Sequence, residues 1–545
     1  MTGPGAGSPS KPGLRYGAAA ASALLTAAAF PPIGWSALAW VSLAPWFAVL
    51  LRDRGEGHRG PAFLFGLLYF GTGLSWLGPL HLSFPVLLAA YLALFPLLFA
   101  VLLRQTAALG TAATALAIPC LWVGLDLLRE RALTGFPWLQ PGDALAGWPR
   151  MRQAADLGGA HLLTFAVVAP SALLGALWAG MERGRARFAL VGVALGTPIL
   201  LGVYGGWRQG TLVDRPGPRV LLVQPSFPQT IKAESAGSLP TAERMINEPL
   251  ALSIAGVGEH PDTDVVVWAE TMIPGVLREK ERGRDMQDRE TTLLLKRLAD
   301  PVGVVPDGTR RFLAGAVVRG TDLKTRNSVL LVGPRGLIEG RCDKEHLTPF
   351  GEYVLGESLL SEGAAETVRG WVRRVSPFPL DMVSGASKPV VLKLPGGRPV
   401  RLGGLVCYEV IFPGLARDRV RDGADILVNL SNYAWYGAGM REQALDLARL
   451  RAVEARRPVI VCANDGPTAV IDGNGEIRAR LRSGEKGTLF AEVPLDGRDS
   501  PHAAGGPVFA LLAAAAGLGA ALAGWAAGRR SRAAPPDPVP TRGNS

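Results

Sequence analysis

Apolar and polar positions divide this chain into unlike halves. Up to residue 207 the apolar residues form long blocks near 14–31, 34–51, 61–79, 84–104, 106–128, 159–181 and 187–206, and one more block follows at 506–527. A helix needs roughly 20 apolar residues to cross the hydrocarbon core of a bilayer. Each block approaches that length with few internal charges. Eight such blocks do not fit a water-soluble core, so they predict a membrane α-helical bundle. Lys11 and Arg15, at the start of the first block, would suit the basic n-region of a signal peptide, but seven further blocks mark it as a retained helix.

Between 208 and 505 short β-branched runs alternate with helical stretches. RVLLVQ (219–224), DVVVWA (264–269), FLAGAVV (312–318), SVLLVG (328–333), LGGLVC (402–407), DILVNL (425–430) and PVIVCA (458–463) read as strands. Their continuous apolar character suits strands covered on both faces. REQALDLARLRAVEARR (441–457) reads as a helix with Leu445, Ala448, Ala452 and Ala455 on one side. This alternation predicts a layered α/β domain. The expected organisation is a disordered N-terminus over 1–13, a membrane domain of seven helices over 14–207, a soluble domain over 218–497, an eighth helix over 506–527, and a disordered basic, Pro-rich tail over 528–545.

The net charge of +11 raises the question of nucleic acid. Many of the arginines, however, sit in short groups between apolar blocks, where they orient a membrane protein. No aromatic–basic RNA motif, Walker loop or zinc-spaced Cys/His set is present in the sequence. Neither a nucleic-acid partner nor a metal or cofactor is therefore expected. With the N-terminus inside, Arg52, Arg54, Arg59, Arg183, Arg185, Arg187, Arg529, Arg530 and Arg532 fall on the cytoplasmic side, as the positive-inside tendency requires. The soluble domain then faces outward. Arg129, Arg131, Arg150 and Arg152 break the pattern by lying outside. They read equally as contacts to phospholipid phosphates and as simple snorkelling side chains.

The chemistry sits in the soluble half. Glu270 in VVVWAET, Lys344 in RCDKEHLTPFGEYV and Cys407 in GGLVCYEV each stand at or just beyond an apolar run, where α/β folds present reactive groups. A base, a cation and a nucleophile make a complete set for acyl transfer through a thioester. A free thiol has a pKa of about 8.5 and is mostly protonated at neutral pH, so Cys407 needs Glu270 to take its proton. Lys344 would neutralise the thiolate and then the oxyanion, and Glu352 would hold the lysine or assist proton movement. Singly, each has a structural reading: Cys407 as packing, Glu270 as a helix start, Lys344 as a solvated loop charge, Glu409 as an arginine partner. The ordered set is what is specific. Cys120 lies inside an apolar block and is expected to be inert, and the pairing of Cys342 and Cys462 stays open.

The Glu–Lys–Cys order resembles the nitrilase superfamily over roughly 218–497. With its flanking apolar blocks, the whole chain is similar to the bacterial apolipoprotein N-acyltransferases, through WAETMIP, DKEHLTPFGEYV, CYEVIFP, LVNLSNYAWYG and ARLRAVEARRP. The resemblance implies a nitrilase-like αββα sandwich, with Glu270 as base, Lys344 as oxyanion stabiliser, Cys407 as nucleophile, and Glu352, Tyr408 and Glu409 in support. It implies transfer of a fatty acyl chain from a phospholipid, through a cysteine thioester, to the N-terminal amine of a diacylated apolipoprotein. The implied setting is a monomer among membrane lipids, multi-pass in the bacterial inner membrane, its catalytic domain facing the periplasm. Three departures bear on substrate preference rather than reaction type: Tyr433 in SNYAW, Ala233 after the QxxxK-like stretch, and Asn464-Asp465-Gly466. The rivals are a membrane-bound amidase or hydrolase of the same superfamily, and a transporter with an external binding domain. A transporter would carry ionisable residues within its spans, whereas here they are few, with Asp126 near an end.

Overall fold

The apolar blocks fold into helices that share one bundle. The computed structural model describes residues 10–54, 56–180, 185–235, 237–279, 289–304, 310–375, 381–394 and 398–533. In it the helices run α1 (Pro12–Ala28), α2 (Ala44–Arg52), α3 (Arg59–Gly73), α4 (Ser83–Leu92), α5 (Leu94–Gln105), α6 (Thr111–Arg129), α7 (Ala155–Trp178) and α8 (Arg185–Gln209), with a terminal helix at Val508–Ala533. Among the described residues, Ser83–Leu109, Thr111–Arg129, Met151–Trp178 and Val508–Arg530 are long and apolar enough to cross a membrane. Aromatic rings fill the middle of the bundle, with Trp46 stacked on Phe65 at 4.6 Å and Phe99 against Trp122 at 5.2 Å.

The block at 34–51 is not one helix. It forms a 3₁₀ turn at Ser36–Trp40 and starts again at Ala44, with Pro45 in the first turn. Proline has no N–H to carry a helix through from the preceding residues. Thr26 donates to the Ser42 hydroxyl (2.8 Å) and the Trp46 N–H donates to Ser22 (3.1 Å), which pins the break to α1. The terminal helix runs past 527 to Ala533, because Ala and Arg are good helix formers. Residues 1–9 and 534–545 of the expected disordered ends, and Arg183, lie outside the described residues.

The bundle has two unlike ends. At one, Arg15 and His58 meet Asp53, and Arg104 meets Glu56. Arg529 of the terminal helix covers Trp525, one turn from where Gly528 approaches Ala108. The other end carries the soluble domain.

Among the described residues that domain has thirteen strands: β1 (Arg219–Gln224), β2 (Val265–Trp268), β3 (Ile273–Arg278), β4 (Arg311–Arg319), β5 (Thr325–Val332), β6 (Ile338–Asp343), β7 (Val390–Leu392), β8 (Val400–Val406), β9 (Ile426–Ser431), β10 (Val459–Ala463), β11 (Thr468–Ile471), β12 (Ile477–Leu481) and β13 (Gly487–Glu492). Its helices are α9 (Gln229–Glu234), α10 (Leu239–Glu259), α11 (Arg289–Ala299), α12 (Glu362–Val375), α13 (Pro413–Arg421), α14 (Ala438–Ala455) and α15 (Pro501–Gly505). One sheet has the order β13-β1-β2-β4-β5-β6 with β3 also on β4, and the other β12-β11-β10-β9-β8-β7. The centre of each is parallel: β1, β2 and β4 in the first, β8, β9 and β10 in the second. The sheets stack face to face, with α10 outside the first and α13 and α14 outside the second. This is the αββα sandwich. The sheets come close at Gly404, where an added Cβ would lie 2.5 Å from the Cys342 sulfur.

Helix α14 fastens the sandwich to the bundle. Gln443, buried, donates to the carbonyls of Pro31 (2.8 Å) and Gly73 (3.2 Å) and accepts from the indoles of Trp138 (2.8 Å) and Trp76 (3.1 Å). After the helix, Arg456 pairs with Asp156 of α7 at 2.7 Å and donates to Gln153 at 2.7 Å. Asp156 also accepts from Tyr204 and Arg208 of α8, both at 2.6 Å.

Candidate active site

Parallel strands deliver their carboxyl ends to one edge, and the candidate residues gather there. Glu270 follows β2, Lys344 follows β6, and Cys407 follows β8. The turn at Glu270 is tight. Thr271 has φ of +50°, and β4 passes so closely beneath that a Cβ on Gly315 would lie 2.6 Å from the Glu270 Cα. Only glycine fits there. The Glu270 carboxylate accepts from Asn327 Nδ2 (2.8 Å, Oε1) and from the Asn432 backbone N–H (2.9 Å, Oε2).

Lys344 is buried, its Nζ 2.8 Å from Glu352 Oε2 and 3.3 Å from Thr348 Oγ1. Burial opposes its charge, but the carboxylates of Glu352 and Glu270 outweigh burial and hold it above the usual lysine range. Glu352 also accepts from the Thr348 N–H (2.8 Å) and from Asn327 Nδ2 (3.3 Å). Asn327 therefore bridges the two carboxylates.

Cys407 opens a 3₁₀ turn, Cys407–Ile411, with φ of +53°, a left-handed backbone that non-glycine residues seldom adopt. Asn429 Nδ2 holds its carbonyl at 3.1 Å. Burial pushes the thiol well above its ordinary range and the negative charge of Glu270 pushes further, while Lys344 and the Asn432 N–H pull the other way. The thiol is thus harder to ionise than a free one, and its proton needs a base in contact.

Among the described residues no arginine is hydrogen-bonded to Glu409, though the Arg419 charge lies near. The Glu409 carboxylate accepts backbone N–H groups from Glu345 (2.8 Å), His346 (2.9 Å) and Val406 (2.6 Å). Tyr408 points toward the bundle, its hydroxyl 3.4 Å from the Gly135 carbonyl and its ring beside Phe136 and Phe412. Glu270, Lys344, Glu352 and Cys407 thus converge, with Glu409 behind them and Tyr408 to one side.

Sequence reasoning missed Asn327, Thr348 and Lys232. Lys232 Nζ donates to the Glu270 carbonyl (3.0 Å) and the Thr271 hydroxyl (2.9 Å). A polar residue opening the strand run at 327 was the available signal for the first. Of the departures, Tyr433 is buried with its hydroxyl on Asn429 (3.0 Å), and Asn464 holds Asn432 Oδ1 (3.0 Å). The Ala233 side chain lies outside the described residues.

Beside Cys407 an apolar cavity of about 400 Å³ opens between the sandwich and the bundle. Phe84, Leu87 and Leu88 of α4 form one wall, Phe350, Trp371 and Tyr436 the other. Two arginines of the 129–152 region do not serve lipid. Arg129 is buried on Asp126 (2.9 Å) and the Phe136 carbonyl (3.0 Å), and Arg152 on the carbonyls of Asn474 (2.8 Å) and Ala146 (3.1 Å) and on Glu476. Their charges are met by internal partners. Arg131 and Arg150 are exposed. All four cysteines are free. Cys342 is buried against Ser387, and burial pushes its thiol up to about 11.

Two family models match the chain, the apolipoprotein N-acyltransferase N-terminal domain over residues 22–173 and the carbon-nitrogen hydrolase over 220–500. A Geobacter metallireducens protein named apolipoprotein N-acyltransferase is 31% identical over 525 residues, covering 93% of this chain and 95% of its own. Namesakes from Rhizobium etli (33%, covering 85% of this chain and 87% of theirs) and Haemophilus ducreyi (28%, 85% and 88%) match as broadly. Among solved structures, Saccharomyces cerevisiae Nit3 is 18% identical with a TM-score of 0.36, covering 52% of this chain and 91% of its own. The relatives match across bundle and sandwich together, which disfavours an amidase that is merely anchored. With its long apolar helices, this is a membrane protein and an acyltransferase, and the chain belongs to the apolipoprotein N-acyltransferase family.

Proposed function

We propose that the protein moves a fatty acyl chain from a phospholipid to the N-terminal amine of a diacylglyceryl-cysteine lipoprotein, through a thioester on Cys407. The catalytic domain is residues 218–497, carried by helical segments within 14–207 and 506–527. Glu270 takes the Cys407 proton, and the thiolate attacks the donor's ester carbonyl. Of the three N–H groups of Lys344, two serve Glu352 and Thr348, which leaves one for the oxyanion. Glu270 returns its proton to the departing lysophospholipid oxygen. The acceptor amine then attacks the thioester and gives its proton to Glu270, which passes it to the departing Cys407 sulfur. Glu352 holds Lys344, Glu409 shapes the turn beneath Cys407, and Tyr408 guides the acyl chain.

The observation that carries this reading is the apolar cavity ending at Cys407. A soluble amide needs no such space, and an acyl chain does. The arginines gathered at the far end of the bundle support an inner-membrane setting with the sandwich on the periplasmic side, and the protein acts as a monomer. Cys407→Ala should abolish the acyl-enzyme seen by intact mass after incubation with phospholipid vesicles, with unfolding unchanged. An acyl adduct persisting in that variant sinks the assignment.

A further inference from the structure

Lys232, half-buried on α9, has no part in the chemistry above, yet it grips the residue that does the base's work. Its ammonium holds both the Glu270 carbonyl (3.0 Å) and the Thr271 hydroxyl (2.9 Å). The main chain it holds is strained, because Thr271 is β-branched and keeps φ at +50°, a conformation that persists only when its surroundings enforce it. From below, the Gly315 backbone of β4 closes off any retreat, with no room for even a methyl group. A turn pressed from one side needs a tie on the other, and the lysine supplies it. Its charge also acts on the Glu270 carboxylate and the Cys407 sulfur.

We propose that Lys232 is a positioning residue for acyl transfer, fixing Glu270 against Cys407 through the Glu270–Thr271 main chain and lending positive charge to the forming thiolate. This rests on the roles assigned above to Glu270 and Cys407. Burial draws the lysine's pKa down to about 8, against the opposing pull of Glu270 and Cys407. Its charge is therefore present below about pH 8 and lost above it. Lys344, across the site, is held above the usual lysine range by Glu352 and Glu270 and does not titrate in that window.

The test is single-turnover acyl-enzyme formation by the full chain with phosphatidylethanolamine vesicles, from neutral to alkaline pH, with thermal unfolding in parallel. The wild-type rate should fall as pH rises through about 8. Lys232→Met should be slower by about 100-fold at neutral pH, the scale of a slightly misplaced catalytic group, and should lose that alkaline limb. Lys232→Arg keeps charge and donors without titrating there, so it should recover part of the rate and stay flat. A merely structural lysine would not move the pH profile. A flat wild-type profile, a folded Lys232→Met as fast as wild type, or a slow one retaining the wild-type limb each overturns the proposal. Should the methionine variant not fold, the wild-type and arginine profiles decide. A wild type that forms no acyl-enzyme overturns the underlying reading as well, and is recognised by that outcome alone.

Discussion

The sandwich meets the helical bundle along two unlike seams. At Cys407 the seam is apolar and open, a space of about 400 Å³ walled by residues such as Phe84 and Leu88. Along α14 it is polar and filled: Gln443 makes four hydrogen bonds into the bundle, and Arg456 shares the buried Asp156 with Arg208 and Tyr204. Hydrogen bonds and ion pairs work only in narrow geometry, so the second seam fixes where the domains sit. Apolar contact is non-directional, so on the proposed function the first would take an acyl chain of varying length.

That division can be broken from either side. The largest effect is expected of Arg456→Ala, which leaves Asp156 buried with fewer partners. Breaking a buried ion pair costs about 3–5 kcal/mol, read as a lower unfolding temperature in detergent, while the folded fraction forms acyl-enzyme at the wild-type rate. A slower rate with unchanged unfolding would mean that this seam serves chemistry instead. Gln443→Leu comes next. It strands two indole N–H groups and two carbonyls, and an unmet buried polar group costs about 1–3 kcal/mol, again in stability. The smallest effect belongs to the open seam. Leu88→Trp fills part of the cavity and should disfavour long-chain over short-chain donors by about tenfold, the scale of a methylene or so in an apolar pocket. Unfolding should not move. If donor preference stays put and stability falls, the cavity is core and not a binding space.

The chain's own patterning revealed much of this. RVLLVQ is β1 to the residue, and the other six expected strands lie within three residues of observed ones, because continuous apolar runs bounded by turn residues leave little choice. Six strands outside the parallel centres were missed, β3, β6, β7, β11, β12 and β13: β7 and β11 are very short, β6 and β12 interleave charge, and β3 carries Pro and Gly. As candidates, Glu270, Lys344 and Cys407 stood out by residue type at strand ends, and Glu352 by its place in the stretch after Lys344; the structure brings the four together. Lys232, Asn327 and Gln443 did not stand out. Each earns its place through partners far along the chain, such as Gln443 with Trp76, and no local pattern distinguishes them from solvated polar residues. The arginines misled for the same reason. Charge patterning treats Arg129 and Arg152 as free cations, whereas Asp126 and Glu476 already neutralise them.

Glu270, carried by the first sheet, is held by Asn432 at the end of the second, and Glu409, just beyond β8, is held by main chain following β6. Both stitches cross between the layers, so neither layer possesses a site by itself. A chain whose two halves have formed but not yet closed on one another has a thiol and a carboxylate with nothing between them to react. On the proposed function, a half-assembled molecule would therefore have no thiolate with which to attack a lipid ester.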